Sequence, residues 1–462
     1  MLGLTCDSRQ VSPGFLFAAL PGGHADGRAF IGEAIGRGAV AVLAPTGTVI
    51  ENGATALITD ANPRRRFARL AAAFHARQPA VVVAVTGTNG KTSVANFTRQ
   101  IWAGLDLPAA SLGTVGLVSP RLVDTSPLTT PDPVTLHSML SRLAADGVGH
   151  AAIEASSHGL DQYRLDGVTL AAAAFTNLTR DHLDYHGDMT RYRQAKWRLF
   201  DELLPPGAGA VINADSPEAE ALGRLCRDRG LKLLTVGRAG ADIRLLAANP
   251  AAAGQDLDLQ VCGRRSRLHL PLAGAFQADN ALLALGLAIA TGARAEAATS
   301  VLADLRGVAG RLQRVATTPA GAAVYVDYAH TPDALETVLT ALRPHAAGRL
   351  LVVFGCGGDR DPGKRPQMGA IAARLADQVV VTDDNPRNEQ PAVIRAEILA
   401  ASPKAMDVGD RRLAIRTAIG ALAAGDVLVV AGKGHETGQT IAGQVFPFDD
   451  AEEVRLALGD RP

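Results

Sequence analysis

The stretch from Thr86 to Ser93, which reads TGTNGKTS, has the composition of a phosphate-binding loop. Its glycines let consecutive backbone N–H groups turn toward an anion, and a helix starting directly after it would add positive potential. Lys91 supplies a positive charge, and the hydroxyl group of Thr92 is a suitable ligand for Mg²⁺. The stretch therefore predicts binding of a nucleoside triphosphate. The contributing residues would be Gly87, Thr88, Asn89, Gly90, Lys91, Thr92 and Ser93.

The match to the general phosphate-loop pattern is imperfect. That pattern has glycine at the position where this chain has Val85. A short Gly-x-x-Gly-Lys-Thr run also occurs in ordinary glycine turns, which is the alternative interpretation. The apolar run from Val81 to Val85 and the helical pattern through Ile101 favour a strand, a loop and a helix, which is the arrangement that a phosphate site needs.

Two further clusters follow predicted strands of the same region. One runs from Glu154 to His158 and the other from Thr176 to Asp184. Ligands of open α/β sheets bind at the carboxyl ends of the strands, so we expect both clusters to face the crevice that holds Lys91. The carboxylate of Glu154 and the imidazole of His182 could hold a metal there. A surface or capping role for Glu154 and a structural role for His182 are the alternatives.

Charged turns also close four predicted strands nearer the end of the chain. They run from Asp327 to Pro332, Gly355 to Asp361, Asp383 to Arg387, and Gly432 to Glu436. Such a rim suits a zwitterion, because arginine side chains bind a carboxylate while Glu436 binds an ammonium group. Solvated loop charges are one alternative. A nicotinamide site with Asp383 on the ribose is another, although its glycine fingerprint would be expected on the first strand.

These clusters need elements that place them at sheet edges, and the apolar patterns predict such elements. Strand-like runs at 151–153, 170–175, 210–212, 233–236, 323–326, 350–354, 379–382 and 427–431 alternate with helical patterns, including a buried helix at 278–291. This alternation predicts an α/β fold with mostly parallel sheets. We predict three domains: a small N-terminal α/β domain at 1–79, a central phosphate-loop domain at 80–309, and a Rossmann-like C-terminal domain at 310–462.

The composition restricts the kinds of ligand that we expect the protein to bind and the compartments in which we expect it to act. The chain has 462 residues, and its 46 basic and 46 acidic residues balance, so nothing favours a polyanionic partner such as nucleic acid. Its four cysteines lack metal-type spacing and fit a reducing compartment. No basic leader precedes an apolar core, and no apolar run approaches the roughly 18 residues of a membrane helix. We expect a cytoplasmic protein that binds small molecules, without nucleic acid or membrane insertion.

Together these motifs resemble those of the Mur ligases of peptidoglycan precursor synthesis, over essentially the whole chain. Within that family the resemblance is to the ligases that act on a UDP-N-acetylmuramoyl dipeptide. The run Asp384-Asn385-Pro386-Arg387 is similar to the signature of members that add meso-diaminopimelate rather than lysine. Besides the clusters above, the resemblance rests on Asp7 to Arg9 with Pro13-Gly14, Thr129 to Pro131, Ala195-Lys196, Gly310-Arg311 and the extension of the Gly355 turn to Pro366.

The resemblance implies an ATP-dependent, ADP-forming acid–amino-acid ligase that uses Mg²⁺. It would add meso-2,6-diaminopimelate to the D-glutamyl γ-carboxylate of UDP-N-acetylmuramoyl-L-alanyl-D-glutamate through an acyl phosphate, in peptidoglycan synthesis for cell-wall biogenesis and division. Its partners would be these small molecules, and we expect a monomer. The alternatives are the same ligase with L-lysine or L-ornithine, a folate or polyglutamate ligase, and a nucleotide-binding regulator or simple NTPase.

The resemblance also implies roles for individual residues. Lys196 lies in a helical stretch and would, on that ground alone, face solvent; the resemblance implies instead a carbamylated lysine that binds metal. The catalytic set would be Lys91, Lys196, His182 and Glu154, and the metal ligands Thr92, Glu154, His182 and Lys196. ATP would also contact Asn280, Arg311 and Asp327. The muramoyl dipeptide would contact Thr129, Thr130, Ser156, Gln162 and Arg164, and its uridine diphosphate would contact Ser8, Gly23, His24 and Ala25. Diaminopimelate would contact Arg360, Asp384, Asn385, Pro386, Arg387, Gly432 and Glu436.

The sequence departs from the family pattern at a few positions. Cys6 stands where an apolar residue beside the uracil is expected, and Gln277 stands where asparagine is usual. Gln313 follows Arg311 where glutamate is common. Neither glutamine is expected to touch the phosphoryl chemistry, whereas Cys6 bears on the contacts to the uracil.

Overall fold

The computed structural model describes residues 1–22, 25–50, 53, 55–124, 128–251 and 253–459. The chain forms two compact units, one comprising Met1–Arg244 with Leu282–Thr299 and the other Leu245–Ala281 with Ser300–Pro462. Both units alternate strands and helices, as the α/β prediction requires. The predicted domain boundaries after residues 79 and 309 stay predictions.

The first unit begins with a four-stranded parallel sheet in the order β1-β2-β3-β4. Its core includes the buried Phe17 and Val42 on one side and Phe67 on the other. Asn62 caps the last helix of this region by accepting a hydrogen bond from the Arg65 backbone N–H group, and Ala76 ends that helix in a left-handed conformation. The elements are β1 (Gly3–Thr5), β2 (Phe15–Ala18), α1 (Ile31–Gly36), β3 (Ala41–Pro45), β4 (Ala56–Asp60) and α2 (Pro63–His75).

A larger sheet follows in the same unit. Its elements are β5 (Val81–Thr86), α3 (Lys91–Gly104), β6 (Ala109–Gly113), β7 (Gly116–Val118), β8 (Val123–Asp124), α4 (Pro133–Ala145), β9 (His150–Glu154), α5 (Ser157–Asp161), β10 (Ala172–Phe175), α6 (Leu183–His186), α7 (Met189–Arg198), β11 (Gly209–Asn213), α8 (Ala219–Asp228) and β12 (Lys232–Gly237). The strand order is β12-β11-β10-β5-β9-β6-β7-β8, with β5 parallel to both neighbours. Val85 pairs with Glu154, and Thr86 pairs with Phe175. The carboxyl ends of β5, β9 and β10 therefore meet at one edge, which is where the predicted clusters begin.

Three elements contribute residues to both units: β13 (Ile243–Ala251), α9 (Ala275–Ala290) and α10 (Ala295–Ser300). The remaining elements belong to the second unit. They are β14 (Gly254–Val261), β15 (Arg264–Leu270), β16 (Gln313–Thr317), β17 (Ala323–Asp327), α11 (Pro332–Leu342), β18 (Leu350–Phe354), α12 (Lys364–Leu375), β19 (Gln378–Val381), α13 (Pro391–Leu399), β20 (Met406–Asp407), α14 (Arg411–Gly420), β21 (Val427–Ala431), β22 (Gly438–Ile441), β23 (Gln444–Pro447) and α15 (Asp450–Ala457).

The sheet of the second unit has the order β16-β17-β21-β18-β19-β20, and only β16 runs antiparallel within it. Buried aliphatic residues cover both faces, for example Val352 on one face and Val353 on the other. Such double burial explains why these strands read as continuous apolar runs. The predicted strands and the buried helix are all present, within a few residues of their predicted ends.

Candidate functional site

The phosphate loop joins the end of β5 to the start of α3. Gly87 and Gly90 have φ angles of 146° and 86°, which side chains other than glycine rarely adopt. A Cβ atom on Gly87 would lie 1.8 Å from Oγ1 of Thr176, so this position has no room for a side chain. The predicted strand, loop and helix are present, and Val85 is a buried strand residue that leaves the compact loop intact.

The residues that follow β10 hold the loop in place. The Thr88 N–H group donates to the Asn177 carbonyl at 2.9 Å, and the Asn89 N–H group donates to Oδ1 of Asn177 at 3.0 Å. Oγ1 of Thr176 donates to the Asn89 carbonyl at 2.6 Å. The loop is therefore fixed from the neighbouring strand before any ligand binds, which is the preorganisation that a phosphate site needs.

Two lysine side chains converge on one carbonyl of the loop. Nζ of Lys91 donates to the carbonyls of Gly87 at 3.0 Å and Thr88 at 2.8 Å, and Nζ of Lys196 donates to the same Gly87 carbonyl at 2.6 Å. Lys196 is only 1% exposed, although its helix reads as polar. Burial, with the nearby Lys91 charge, lowers the pKa of Lys196 to about 6. The amine of Lys196 is thus largely neutral at pH 7 and available as a nucleophile.

Glu154 ends β9 beside the loop and is buried. Its Oε2 accepts a hydrogen bond from Oγ1 of Thr92 at 3.0 Å and another from Oγ1 of Thr114 at 3.2 Å. Its Oε1 accepts from the Thr114 N–H group at 2.8 Å. The hydroxyl group of Thr92 and the carboxylate of Glu154 therefore present adjacent oxygen atoms, which are the ligands that Mg²⁺ prefers.

His182 differs from the other predicted metal ligands because it is exposed. It has a left-handed backbone with φ of 51°, and its Nε2 lies 3.4 Å from Oδ2 of Asp181. Its ring is 6.3 Å from the Tyr192 ring, which in turn has Nζ of Lys196 4.4 Å from its centroid. His182 and Lys196 therefore both lie beside Tyr192.

A metal ion would be held here mainly by oxygen atoms and not by a preformed cluster of His, Cys, Asp or Glu side chains. Among the described residues, no group of three or more His, Cys, Asp or Glu side chains could hold a metal ion. The predicted ligand set contains only two such residues, Glu154 and His182. Carbamylation of Lys196 would add two oxygen atoms to this predicted ligand set.

The residues predicted to contact the muramoyl dipeptide form two connected groups in the first unit. Oγ1 of Thr129 lies 3.0 Å from Oγ1 of Thr114, next to Glu154. Oγ1 of Thr130 is 3.0 Å from Oγ of Ser156, and the Thr130 carbonyl accepts from Arg164 at 2.6 Å. Arg164 also donates to Oε1 of Gln162 at 2.7 Å. The structure thus brings Thr129, Thr130, Ser156, Gln162 and Arg164 to the edge where β9 ends.

The predicted uridine site is described only in part. Oγ of the buried Ser8 donates to Oε2 of Glu33 at 2.7 Å, and Ala25 is exposed. Gly23 and His24 lie outside the described residues.

In the second unit, the residues predicted to contact the nucleotide form a chain of hydrogen bonds. Nδ2 of Asn280 donates to Oε1 of Gln277 at 3.1 Å, and Nε2 of Gln277 donates to the Arg311 carbonyl at 3.2 Å. Asp327 accepts from the backbone N–H group of Leu312 at 2.6 Å. Burial raises the pKa of Asp327 to about 6, against the opposing effect of the Arg311 charge. Gln277, a departure from the family pattern, is therefore the link between Asn280 and Arg311.

The residues predicted to contact the amino acid lie on loops at the carboxyl ends of β18, β19 and β21. Nδ2 of Asn385 donates to Oε2 of Glu436 at 2.9 Å. Arg387 has a left-handed backbone with φ of 53° and donates to the Gly358 carbonyl at 2.6 Å. Asp384 is buried, and burial raises the pKa of its carboxyl group. Pro386 and Gly432 are also buried, whereas Arg360 is exposed. Burial raises the pKa of the Tyr328 hydroxyl group; the carboxylates of Glu436 and Asp384 add to the rise, and Arg311 and Arg360 oppose it.

Sequence reasoning missed several residues that hold these groups together. The hydroxyl group of Tyr192 lies 3.1 Å from Oγ1 of Thr88, while its ring contacts Lys196. Tyr192 precedes Lys196 by four residues, a spacing that puts both on one helix face and could have revealed the pair. Thr114 carries no comparable signal. Lys433 lies between two glycines of a charged turn, and its burial is visible only in the structure.

Comparisons with known proteins agree over the length of the chain. Three family descriptions match: "Mur ligase family, catalytic domain" at residues 2–80, "Mur ligase middle domain" at 85–288, and "Mur ligase, glutamate ligase domain" at 310–434. The UDP-N-acetylmuramoyl-L-alanyl-D-glutamate–2,6-diaminopimelate ligase of Chelativorans sp. (strain BNC1) is 56% identical, over 99% of this chain and 95% of its own.

Solved structures show the same architecture. A UDP-N-acetylmuramoyl-L-alanyl-D-glutamate–2,6-diaminopimelate ligase superposes with a TM-score of 0.76 at 35% identity, covering 99% of this chain and 95% of its own. The MurF ligase of Thermotoga maritima, solved in complex with ADP, superposes with a TM-score of 0.63 at 18% identity over 98% of this chain and 96% of its own, a likeness of fold alone. No helix among the described residues is long and apolar enough to span a bilayer. The chain has the three-domain α/β architecture of the Mur ligases and belongs to the Mur ligase family.

Proposed function

We propose that this protein is an ATP-dependent ligase that adds meso-2,6-diaminopimelate to the D-glutamyl γ-carboxylate of UDP-N-acetylmuramoyl-L-alanyl-D-glutamate, forming ADP and phosphate. Similarity to enzymes of that name over nearly the whole chain supports the substrates. The observation that carries the chemistry is the convergence of Lys91, Lys196 and the Thr92–Glu154 pair on one preorganised phosphate loop.

The first step transfers the γ-phosphoryl group of ATP to the substrate carboxylate. Backbone N–H groups of the loop and the ammonium group of Lys91 stabilise the negative charge that builds on the transferring group. Bound Mg²⁺, held by Thr92, Glu154, His182 and carbamylated Lys196, would supply further charge stabilisation. Thr129, Thr130, Ser156, Gln162 and Arg164 would orient the dipeptide, and the product of the step is an acyl phosphate.

We also propose that Lys196 is carbamylated, which its burial supports. A neutral amine attacks the carbon of CO₂, its nitrogen loses one proton, and a carbamate with one negative charge forms. The lowered pKa of Lys196 supports this step, because a protonated amine has no electron pair to donate. The modification replaces a neutral amine beside the Lys91 cation with an anion.

The second step uses an amino acid held by the second unit. We assign its carboxylate to Arg360 and Arg387 and its distal ammonium to Asp384 and Glu436, with Asn385, Pro386 and Gly432 shaping the site. The free amine of this amino acid attacks the acyl carbon, a proton leaves the nitrogen, and phosphate departs. Asn280, Arg311 and Asp327 are assigned to the nucleotide.

We also infer the setting of the reaction. Its substrates, ATP and a UDP-linked precursor, belong to the cytoplasm, and we place the activity there, in a monomer without nucleic-acid partners. We keep the domain boundaries at 1–79, 80–309 and 310–462, which the three matched family ranges support. We assign Ser8, Gly23, His24 and Ala25 to the uridine diphosphate.

The test is ADP release by the purified protein with UDP-muramoyl dipeptide and a panel of amino acids: meso-diaminopimelate, L-lysine and L-ornithine. We expect turnover only when dipeptide and diaminopimelate are both present, with the tripeptide product identified by mass. Equal turnover with lysine or ornithine would overturn the amino-acid assignment. ADP release without either substrate would indicate a simple NTPase.

A further inference from the structure

Lys433 is a fully buried cation at the predicted amino-acid site. It follows β21 in a turn between Gly432 and Gly434, and its side chain is 0% exposed. Gly432 has φ of 120° and Gly434 has φ of 57°. A Cβ atom on Gly434 would lie 2.7 Å from the Tyr328 Cβ atom, so this glycine also permits a close approach. The turn therefore carries the lysine into the interior of the rim.

Three residues that we assign to the amino acid surround the Lys433 ammonium group. Nζ donates to Oδ1 of Asn385 at 3.0 Å and to Oε2 of Glu436 at 3.4 Å, and it lies 3.8 Å from Oδ1 of Asp384. Transferring an ammonium group from water to a protein interior is costly unless such partners offset it. Lys433 therefore depends on these three side chains, and their arrangement depends on Lys433.

The hydrogen bond from Lys433 to Asn385 also sets the orientation of the Asn385 amide nitrogen. Oδ1 of Asn385 accepts from Lys433 and from the Thr440 N–H group at 2.9 Å, so its Nδ2 must point the other way. Nδ2 then donates to Oε2 of Glu436 at 2.9 Å. In the described part of the chain, Oε1 of Glu436 accepts no hydrogen bond, which leaves this oxygen atom to a ligand.

Asp384 supplies the second observation. Its Oδ1 is buried and has no hydrogen-bond partner among the described residues. Nζ of Lys433 lies 3.8 Å from that atom, which is too far for a hydrogen bond. Burial raises the pKa of Asp384, and the charges of Arg411 and Lys433 oppose that rise. Lys433 thus lies beside both an unpartnered buried carboxylate oxygen and the partly exposed carboxylate of Glu436.

We propose that Lys433 is a positioning residue that orients Asn385 and Glu436 and keeps Asp384 and Glu436 together as paired anions for the ammonium group of the incoming amino acid. This inference rests on the proposed function, because the ligand is the diamino acid assigned above. Lys433 itself is covered by these partners and would not touch the substrate. Its removal should therefore weaken amino-acid binding without changing the use of ATP or of the dipeptide.

The experiment compares Lys433→Met and Lys433→Gln with wild type and with Arg349→Met. Methionine removes the charge and the donor, whereas glutamine keeps a donor for Asn385. Arg349 is a matched control, because it pairs with the buried Asp426 at 2.6 Å at the opposite, amino end of the same sheet. Apparent KM values for diaminopimelate, ATP and the dipeptide are measured by ADP release, and folding is monitored by thermal unfolding.

We expect Lys433→Met to raise the KM for diaminopimelate about tenfold or more, with the other two KM values within about twofold of wild type. Lys433→Gln should raise it less, and Arg349→Met should leave all three unchanged. In a double-mutant cycle, the KM increase of the double variant should be smaller than the product of the increases for Lys433→Met and Asn385→Ala, because both substitutions act on Glu436. If Lys433→Met does not fold, the glutamine variant and this cycle built on it carry the test.

Two results would overturn the inference. One is an unchanged KM for diaminopimelate in a folded Lys433 variant, and the other is an equal rise in all three KM values, which indicates general structural damage. Failure of the proposed function is distinct from both, because wild type itself would then release no ADP with diaminopimelate.

Discussion

The phosphate loop and the amino-acid rim both lie at the carboxyl ends of parallel strands, yet they are built differently. The loop is one contiguous stretch from Thr86 to Ser93, and its backbone groups are held by Thr176 and Asn177, directly after β10. The rim draws on three loops, at 355–361, 383–389 and 432–436, which side-chain contacts tie together. We conclude that phosphate binding depends on backbone geometry, whereas amino-acid binding depends on buried charges that compensate one another.

The largest expected effect belongs to the loop, because we assign Lys91 to the reacting phosphoryl group itself. Lys91→Met should reduce kcat by at least about a hundredfold. Lys232→Met is the matched control, since Lys232 is an exposed lysine of the same unit outside the loop. Single-turnover ADP formation measures the effect. Near-normal turnover by Lys91→Met would show that the loop alone stabilises the transferring charge.

Substitution of Lys196 tests whether the phosphate-loop region, like the amino-acid rim, depends on a buried side-chain charge that neighbouring charges compensate. Lys196→Ala should lower kcat by about a hundredfold, comparable to the loss of a group that positions a metal. Short-chain carboxylates such as acetate or propionate should restore part of the activity by replacing the carbamate. Lys91→Met serves as the control that carboxylates should not rescue. Absence of any rescue of Lys196→Ala would count against the carbamate.

Substitution of Arg387 tests the same comparison at the amino-acid rim. Arg387→Ala should raise the KM for diaminopimelate about tenfold or more, because it removes a charge-assisted contact to a carboxylate. The KM for ATP should stay near the wild-type value. Steady-state ADP release at varied amino-acid and ATP concentrations separates the two. Equal rises in both values would contradict the assignment of Arg387 to the amino acid.

These residues also show how far the sequence alone could reach. The phosphate loop was predictable because its glycines, lysine and threonine are adjacent, and the buried strands were predictable because they are continuous apolar runs. The strands β13, β14 and β15 were not predicted, since exposed polar residues interrupt their apolar pattern. The burial of Lys196 and Lys433 depends on tertiary packing, which polar local sequence conceals. Only the family resemblance pointed to Lys196, and nothing pointed to Lys433.

The smallest expected effect is a difference in how the stability contributions of buried groups in the two units depend on pH. Lys196 has a pKa of about 6 in the folded protein against 10.5 for a free lysine, so the unfolded chain binds one more proton between these values. Its contribution to the free energy of unfolding therefore rises with pH above about 6, by up to about 1.4 kcal/mol per pH unit. Asp327 has the opposite sign. Its pKa is raised from 3.8 to about 6, so its contribution falls as pH rises through that window.

Urea unfolding in CO₂-free buffer from pH 5 to pH 9 checks these slopes, with Lys196→Met and Asp327→Asn as the variants. The free-energy difference between wild type and Lys196→Met should shift in favour of wild type as pH rises from 6. The difference for Asp327→Asn should shift against wild type between pH 4.5 and 6 in a companion series. Parallel curves for wild type and both variants would contradict the charge assignments.

The central claim is that the γ-phosphoryl group of ATP bound at the phosphate loop is transferred to the substrate carboxylate, and that the amine then attacks the resulting acyl phosphate. It is tested by labelling the D-glutamyl γ-carboxylate of the UDP-muramoyl dipeptide with ¹⁸O and analysing the inorganic phosphate released during turnover with diaminopimelate. An acyl-phosphate route transfers one carboxylate oxygen to each phosphate, so we predict ¹⁸O in the phosphate at the enrichment of the carboxylate. Unlabelled phosphate accompanied by tripeptide formation would contradict it.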